Sequence, residues 1–189
     1  MNKNETINRN VKFASFDQSY ARCGISVFDG ERLLKVLCLD FAVYEKEHGC
    51  KLKKRHKRKL LANIVKHLIE KEGVRVIVVE KTRLFSAGFI SINVISAMSE
   101  LIACIIDASS DDIPVVSIDT LTWKRATTGT PKRGTPVKDK KRATQEWAEL
   151  LLTSTIQEKR NFRSLTDDEA DSIGIGVAFI RNVKITIEE

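Results

Sequence analysis

Three mainly hydrophobic runs near the start of the chain have the residue types that β-strands favour. Val11–Asp17 and Gly24–Phe28 are short runs of β-branched and aromatic residues, and Arg32–Val43 is a longer one. Asp29-Gly30 lies between the second and third runs and is a strong signal for a two-residue hairpin turn. These segments predict three strands arranged as an antiparallel meander.

After this meander the spacing of apolar residues becomes that of a helix. Apolar residues spaced three to four positions apart predict an amphipathic helix that ends at Gly73. These residues are Leu60, Leu61, Ile64, Val65, Leu68 and Ile69. The uninterrupted apolar run Val74–Glu80 predicts a central parallel strand that is covered on both faces. The later pattern predicts a helix over Ile90–Ala108, a strand over Pro114–Ile118, a helix through Ala143, Trp147, Leu150 and Leu151, and a last helix from near Thr166.

The order of these elements limits the topology. A strand that crosses over through a helix returns parallel, and the crossover is right-handed. The most economical layout puts the first strand beside the fourth, which gives a five-stranded mixed sheet of order 3-2-1-4-5 flanked by helices. The predicted fold class is therefore α/β, with residues 11–189 as one domain and residues 1–10 as a flexible N-terminus.

Four acids meet at one edge of this predicted sheet. Asp17 and Glu80 end the first and fourth strands, which are neighbours in the layout. Asp168 and Asp171 lie three residues apart and share a face of the last helix, which can pack across the same edge. Carboxylate oxygens bind hard cations, and two Mg²⁺ ions can activate water against a phosphodiester. Strand order and acid placement together predict an RNase H-like fold with a metal-dependent nuclease site.

The acids that begin the last helix also have a structural interpretation. Thr166 and Glu169 match a capping box, and acids in a first helical turn interact favourably with the positive end of the helix dipole. Asp167 shares a helix face with Asp171 nearly as well as Asp168 does. The spacing alone therefore leaves the choice between Asp167 and Asp168 open.

The net charge of +7 is concentrated in two segments. Lys51–Lys59 contains seven lysines and arginines and no acid, and Lys124–Arg142 contains eight with the single acid Asp139. The rest of the chain is acidic. Clustered basic residues are typical of proteins that bind a phosphate backbone, although either segment alone could also be a solvated loop or a localisation signal.

Other features of the composition bear on the compartment. The four cysteines are widely spaced without a CxxC pair, which predicts reduced thiols and no disulfide framework. The polar start MNKNETINRN lacks a signal-peptide core, and polar residues interrupt the apolar stretch over Ile90–Ala108. We therefore expect a protein without a membrane partner in the cytoplasm of a bacterial cell or of a phage-infected host.

Four segments in order resemble the RuvC family of Holliday-junction resolvases. They are FASFDQSYARCGISVF, VIVVEKTRLF, PVVSIDTLTWKRATTG and DEADSIGIGVAF, and the resemblance extends from about Val11 to Ile180. The last segment resembles the family's Asp-x-x-Asp and so selects Asp168 over Asp167. The resemblance implies that one set of acids is catalytic and holds Mg²⁺, with Mn²⁺ as a substitute. This set is Asp17, Glu80, Asp168 and Asp171.

The resemblance also implies a substrate and an assembly, namely four-way DNA junctions cut by a homodimer whose two sites face one side. Lys124 matches the family's lysine after the last strand. Either Lys140 or Lys141 matches a second lysine, because the loop length shifts the alignment by one. Together with the basic segments, this predicts DNA contacts from Lys124, Lys132, Arg133, Lys138, Lys140, Lys141, Lys53, Lys54 and Arg55.

Two features depart from the family pattern. Where the family often has an aromatic residue that enters the junction centre, this chain has Lys81-Thr82-Arg83, and Phe85 is the candidate wedge or else a core or loop aromatic. The basic segments are more basic than in typical bacterial members. They indicate a phage-encoded member and leave sequence-specific cleavage and pairing with a bacterial branch-migration motor doubtful.

Three functions are consistent with these observations. The first is a Mg²⁺-dependent endonuclease of DNA recombination and repair that resolves Holliday junctions, and other branched DNA, by paired nicks that leave 5′-phosphates. The second is a broader fork and flap nuclease or an RNase H-type nuclease. The third is a junction-binding protein without catalysis, against which the presence of all four acids counts.

Overall fold

The computed structural model describes residues 7–81, 92–129, 134–155 and 164–188, which build a mixed sheet with helices on both faces. The strands are β1 (Lys12–Gln18), β2 (Arg22–Asp29), β3 (Arg32–Asp40), β4 (Val76–Lys81), β5 (Val115–Asp119) and β6 (Thr186–Glu188). The helices are α1 (Phe41–Glu47), α2 (Lys54–Glu70), α3 (Ile92–Ala108), α4 (Thr120–Thr127), α5 (Val137–Thr155) and α6 (Asp167–Ile180).

The first three strands form the antiparallel meander that the sequence predicts. Gly30 makes the tight turn between β2 and β3 with a φ of 55°, a conformation in which glycine has no steric penalty. In the β1–β2 pairing Asp17 lies opposite Gly24. On its other side β1 pairs in parallel with β4, and β4 pairs in parallel with β5. The C-terminal ends of β1, β4 and β5 therefore lie along one edge of the sheet.

The sheet of the described residues has six strands, in the order β3-β2-β1-β4-β5-β6. The predicted order of the first five strands is confirmed, but the prediction of five strands is wrong. β6 runs antiparallel to β5, with Ile187 opposite Val116. This edge strand has three residues, too few for an alternating pattern to distinguish it from the loop that follows a helix.

Two short helices were also not predicted, and an aspartate caps each of them. Asp40 accepts hydrogen bonds from the backbone amides of Ala42 and Val43, so the third strand ends there and not at Val43 as predicted. Asp119 caps α4 in the same way directly after β5. The strand before such an aspartate ends there, because the helix begins at the next residue. The aspartate carboxylate accepts hydrogen bonds from the first backbone amides of that helix.

Alternate residues of each central strand divide between two buried layers. Phe13 and Ser15 of β1 face α6, whereas Ala14 and Phe16 face α2 and α3. The capping box predicted for α6 is present, with the side chains of Thr166 and Glu169 each bonded to the other residue's backbone amide. Among the helices that the structure describes, none is long and apolar enough to cross a membrane.

Candidate metal centre

The sheet and α6 bring the four predicted acids to one edge. Asp17 lies two residues after Ser15 and therefore on the α6 face of β1. Glu80 occupies the same face at the end of the neighbouring parallel strand β4, and the two carboxyl groups are close enough to share a hydrogen bond. Asp168 and Asp171 approach from the first turns of α6.

The electrostatics of Asp17 reflect this crowding. Burial raises the pKa of Asp17 well above its ordinary value, and the negative charges of Glu80, Asp171 and Asp168 raise it further, in that order. The hydrogen bond that a protonated Asp17 donates to the Glu80 carboxylate raises the pKa of Asp17 as well. Carboxylates that repel each other in a poorly solvated site favour either a bound proton or a bound cation.

Asp171 is perturbed in the same direction but has a cation beside it. Burial raises the pKa of Asp171 from 3.8 to about 6. The ammonium group of Lys124, whose Nζ lies 3.6 Å from Asp171 Oδ2, opposes this shift, whereas Glu80 adds to it. The loss of solvation therefore outweighs the attraction of the lysine.

Asp168 is paired with an arginine that the sequence analysis did not identify. Arg22 Nε lies 2.8 Å from Asp168 Oδ2, but the two groups are not aligned for a hydrogen bond, and this buried carboxylate oxygen accepts none. The contact is therefore an ion pair, and this carboxylate oxygen has a lone pair with which it could bind a metal ion. Arg22 lies two residues before Gly24 on β2, so strand alternation together with the β1–β2 register would have placed it on the acidic face.

Two further neighbours hold Glu80 in place. The hydroxyl of Thr120, the first residue of α4, donates to Glu80 Oε1. Gln18 Nε2 donates to the backbone oxygen of Glu80 at 2.7 Å and so connects the ends of β1 and β4. Both residues are uncharged, and nothing in the sequence marks them as neighbours of Glu80. Only the parallel pairing of the strands shows that they contact it.

The donor set of this edge fits a hard divalent cation. It consists of carboxylate oxygens, which such ions prefer, and one of them lacks a hydrogen bond. Within the described ranges, no three acidic, histidine or cysteine side chains already converge as tightly as the ligands of a bound ion. Arg22 and Lys124 neutralise part of the charge instead, so a metal ion would have to compete with two ion pairs.

The described basic residues flank the acids on both sides of the sheet. Lys141 Nζ lies 2.8 Å from Asp167 Oδ2 at the start of α6, which places the first turns of α5 next to the site. On the other side, Lys57 Nζ donates at 2.9 Å to the backbone oxygen of Tyr20, in the turn after β1, which places the start of α2 at the same edge. The exposed predicted contacts in these regions are Lys138, Lys140, Lys141, Lys53, Lys54 and Arg55.

Some predicted residues do not converge on the acids or cannot be placed. Asp167 accepts a hydrogen bond from Lys141, and its charge also adds to the raised pKa of Asp171. The choice of Asp168 over Asp167 stays a prediction. Lys132, Arg133 and the candidate wedge Phe85 lie outside the described residues. Their predicted roles stay predictions.

No protein-family model and no curated protein matches this chain. Solved structures do match its fold. The structure of Thermus thermophilus RuvC in complex with a Holliday junction substrate has a TM-score of 0.62 at 14% identity, covering 89% of this chain and 91% of that chain. A second Thermus thermophilus RuvC structure has a TM-score of 0.54 at 15% identity, with coverages of 89% and 92%.

A eukaryotic structure matches as well. The yeast mitochondrial Holliday junction resolvase has a TM-score of 0.61 at 11% identity, covering 94% of this chain and 80% of that chain. At these identities the likeness concerns the fold. The chain thus has an α/β fold similar to that of RuvC, a mixed sheet flanked by helices, with one more strand than the sequence predicts.

Proposed function

We propose that this chain is a metal-dependent, structure-selective endodeoxyribonuclease that resolves Holliday junctions and cuts other branched DNA. The observation that carries the proposal is the placement of Asp17, Glu80 and two α6 acids at one edge of a sheet whose fold is that of known resolvases. The likeness of fold alone would not suffice, because one fold hosts many functions. The acid cluster adds the chemistry.

Four carboxylates would hold the metal, Mg²⁺ by preference and Mn²⁺ as a substitute. They are Asp17, Glu80, Asp168 and Asp171. When bound, the metal would supply an activated water and stabilise the leaving oxygen of the phosphodiester. The acids of the chain would hold the metal in position. Asp17 lies between Glu80 of β4 and the acids of α6, so it is the acid best placed to bind the same cation as either of them.

Lys124 would change partners when DNA and metal bind. Lys124 is half-buried beside Asp171, and its ammonium group also lies 4.9 Å from the centre of the Trp123 ring, which limits the positions it can take. Released from Asp171 by a metal, this ammonium would neutralise a phosphate next to the scissile bond. We therefore expect Lys124→Ala to lower turnover more than DNA affinity.

The basic residues on either side of the acids would hold the DNA backbone. Lys138 and Lys140 at the start of α5, and Lys53 and Lys54 at the start of α2, are exposed and lie on opposite faces of the sheet. Backbone contacts position DNA but carry no sequence information. A surface of this kind favours selection by DNA shape, as branched DNA requires.

The proposal includes a homodimer, since two symmetric nicks need two sites. An isologous interface fits the two-fold symmetry of a four-way junction. α3 exposes Ile92 and Val94 to solvent, with 82% and 49% of their surfaces accessible. The start of this helix therefore exposes apolar side chains to solvent, and we propose that the two subunits contact each other there.

The test is cleavage of labelled synthetic DNA by the purified full chain with Mg²⁺ or Mn²⁺. Four-way junctions, three-way junctions, flaps, linear duplexes and RNA–DNA hybrids are compared at single turnover. We expect paired nicks in the four-way junction that DNA ligase can seal, which requires 5′-phosphate ends. Asp17→Asn should bind junctions without cutting them, and the neighbouring control Asp167→Asn should cut at nearly the wild-type rate.

The possible failures are distinct. Preferential cutting of RNA–DNA hybrids would move the assignment to an RNase H-type activity, and equal cutting of flaps and junctions would make it a broad branched-DNA nuclease. Tight junction binding without nicking in either metal would leave a binding protein. Cutting by Asp17→Asn at the wild-type rate would show that the acidic cluster is not the active site.

A further inference from the structure

Gly24 of β2 lies directly beneath the first turn of α6. It is the cross-strand partner of Asp17, and it faces the same side of the sheet. A Cβ atom added to Gly24 would lie closer than 3.0 Å to the backbone oxygen of Asp168 and 2.9 Å from the backbone nitrogen of Glu169. Helix backbone atoms cannot rotate away as a side chain can. Any side chain at this position must therefore displace the first turn of α6.

The contact between α6 and β2 has three levels, and each uses at least one small residue. The pairs are Asp168 over Gly24, Ser172 over Ser26, and Gly176 over Phe28. Four helical residues rise about 6 Å and two strand residues about 6.6 Å. Helix and strand thus stay in register along the whole contact, and the small residue at each level lets the helix backbone approach the strand.

Buried hydroxyl groups fix the depth of the middle level. Ser15 Oγ donates to the backbone oxygen of Ser172 at 2.8 Å, and the hydroxyls of Ser26 and Ser172 are 2.7 Å apart. All three serines are fully buried. These bonds hold the second turn of α6 against the sheet. A group added at Gly24 would therefore displace mainly the first turn, which carries Asp168.

We propose that Gly24 is a positioning residue for Asp168. By having no side chain, it lets the first turn of α6 descend until Asp168 reaches the Asp17–Glu80 pair. The ion pair from Arg22, on the same face of β2, then orients the carboxylate. This inference rests on the proposed function, because only a metal-holding role makes the spacing of these acids matter for activity.

The experiment compares Gly24→Ala with the matched control Gly176→Ala. A Cβ at Gly176 would also come closer than 3.0 Å to its neighbours, but these are the Phe28 ring and the Ser15 hydroxyl, and Gly176 lies two helical turns from Asp168. Both variants should lose stability. Hydrogen–deuterium exchange measures which part of α6 moves, and calorimetric titration with Mn²⁺ measures metal affinity without any need for cleavage.

We expect faster exchange in Gly24→Ala at the first turn of α6 and Mn²⁺ affinity weakened about tenfold or more, the usual effect of disturbing a ligand's support. Single-turnover nicking should fall in parallel and recover partly at high metal concentration, with junction affinity little changed. Gly176→Ala should exchange faster in the middle of α6 and keep wild-type metal affinity.

A wild-type metal affinity for Gly24→Ala, or an equal loss in Gly176→Ala, would overturn the proposal. So would an unchanged first turn. If Gly24→Ala does not fold, Thr166→Ala takes its place, because losing the capping box loosens the same first turn without a clash at β2. It should then weaken Mn²⁺ affinity, and a wild-type affinity would overturn the proposal. A wild-type chain that neither binds Mn²⁺ nor nicks DNA would reject the proposed function, and the exchange data would still decide whether Gly24 seats the first turn.

Discussion

Replacing Asp171 by asparagine should stabilise the metal-free protein at neutral and alkaline pH. The pKa of Asp171 is raised from 3.8 to about 6, chiefly by burial. A shift of one pKa unit corresponds to about 1.4 kcal/mol, so keeping this carboxylate ionised in the folded state costs about 3 kcal/mol. The asparagine side chain has a similar shape and no charge to desolvate.

The ion pair that the variant loses is already counted in this figure. Lys124 lies 3.6 Å from the carboxylate, and its attraction lowers the pKa of Asp171, so the value of about 6 is what remains after that attraction. The net stabilisation of Asp171→Asn should thus be about 3 kcal/mol at pH 8. For a chain of this length that corresponds to a rise in melting temperature of about 6–12 °C.

The gain should depend on pH in a defined direction. Between about pH 4 and pH 6 the folded state of the wild type holds a proton on Asp171 that the unfolded chain has released. Wild-type stability therefore falls as the pH rises through this window and levels off above it. The stabilisation by Asp171→Asn should be full at pH 8 and should vanish near pH 4, where both states of the wild type are protonated.

Urea unfolding in EDTA, followed by circular dichroism at several pH values, measures these differences. The control is Asp167→Asn, one helical turn earlier, which removes an exposed ion pair with Lys141 and an acid from the helix N-terminus. It should lose about 0.5–1 kcal/mol at pH 8. If Asp171→Asn is no more stable than the wild type at pH 8, or if its advantage grows towards pH 4, burial does not destabilise the ionised Asp171 carboxylate.

Three other outcomes follow from the geometry. Thr120→Val removes the hydroxyl bonded to the acid of β4, worth about 1 kcal/mol, and should slow single-turnover nicking about fivefold at unchanged junction affinity. Lys138→Ala with Lys140→Ala should flatten the slope of log affinity against log salt by about two units, and Lys66→Ala, far along α2, should not change it. Ile92→Glu should yield monomers in light scattering. A full nicking rate, an unchanged slope or a persistent dimer would contradict the respective inference.

The position of the acids on β1 and β4 could be predicted because it depends on few choices. Two apolar runs end in Asp17 and Glu80, and the handedness of the crossover leaves one economical way to pair them. The face of each acid then follows from strand alternation. The assignment of Asp168 over Asp167 needed the family resemblance, since the helical spacing allowed both.

Strand alternation could have placed Arg22 on the acidic face, but the contacts of the supporting residues could not be predicted, because they depend on packing between elements distant in sequence. Arg22 pairs with Asp168 only because α6 crosses the start of β2, and Thr120 reaches Glu80 only because β5 lies in parallel beside β4. The short elements were missed for a local reason. Asp40 fits both a strand end and a helix cap, and only the geometry after it decides.

The close docking of α6 links the stability of the chain to its proposed activity, and a double-mutant cycle can test the link. If Gly24 sets the approach of α6 to Asp17, the pKa of Asp17 is raised partly because of that approach. Asp17→Asn should then stabilise the metal-free protein at pH 8, and by less when Gly24→Ala has moved the first turn away. We expect a coupling of about 1 kcal/mol, within the range for residues in contact. Additive effects would mean that burial and Glu80 raise the pKa of Asp17 whatever the position of the first turn of α6, and the role of Gly24 would then be limited to packing.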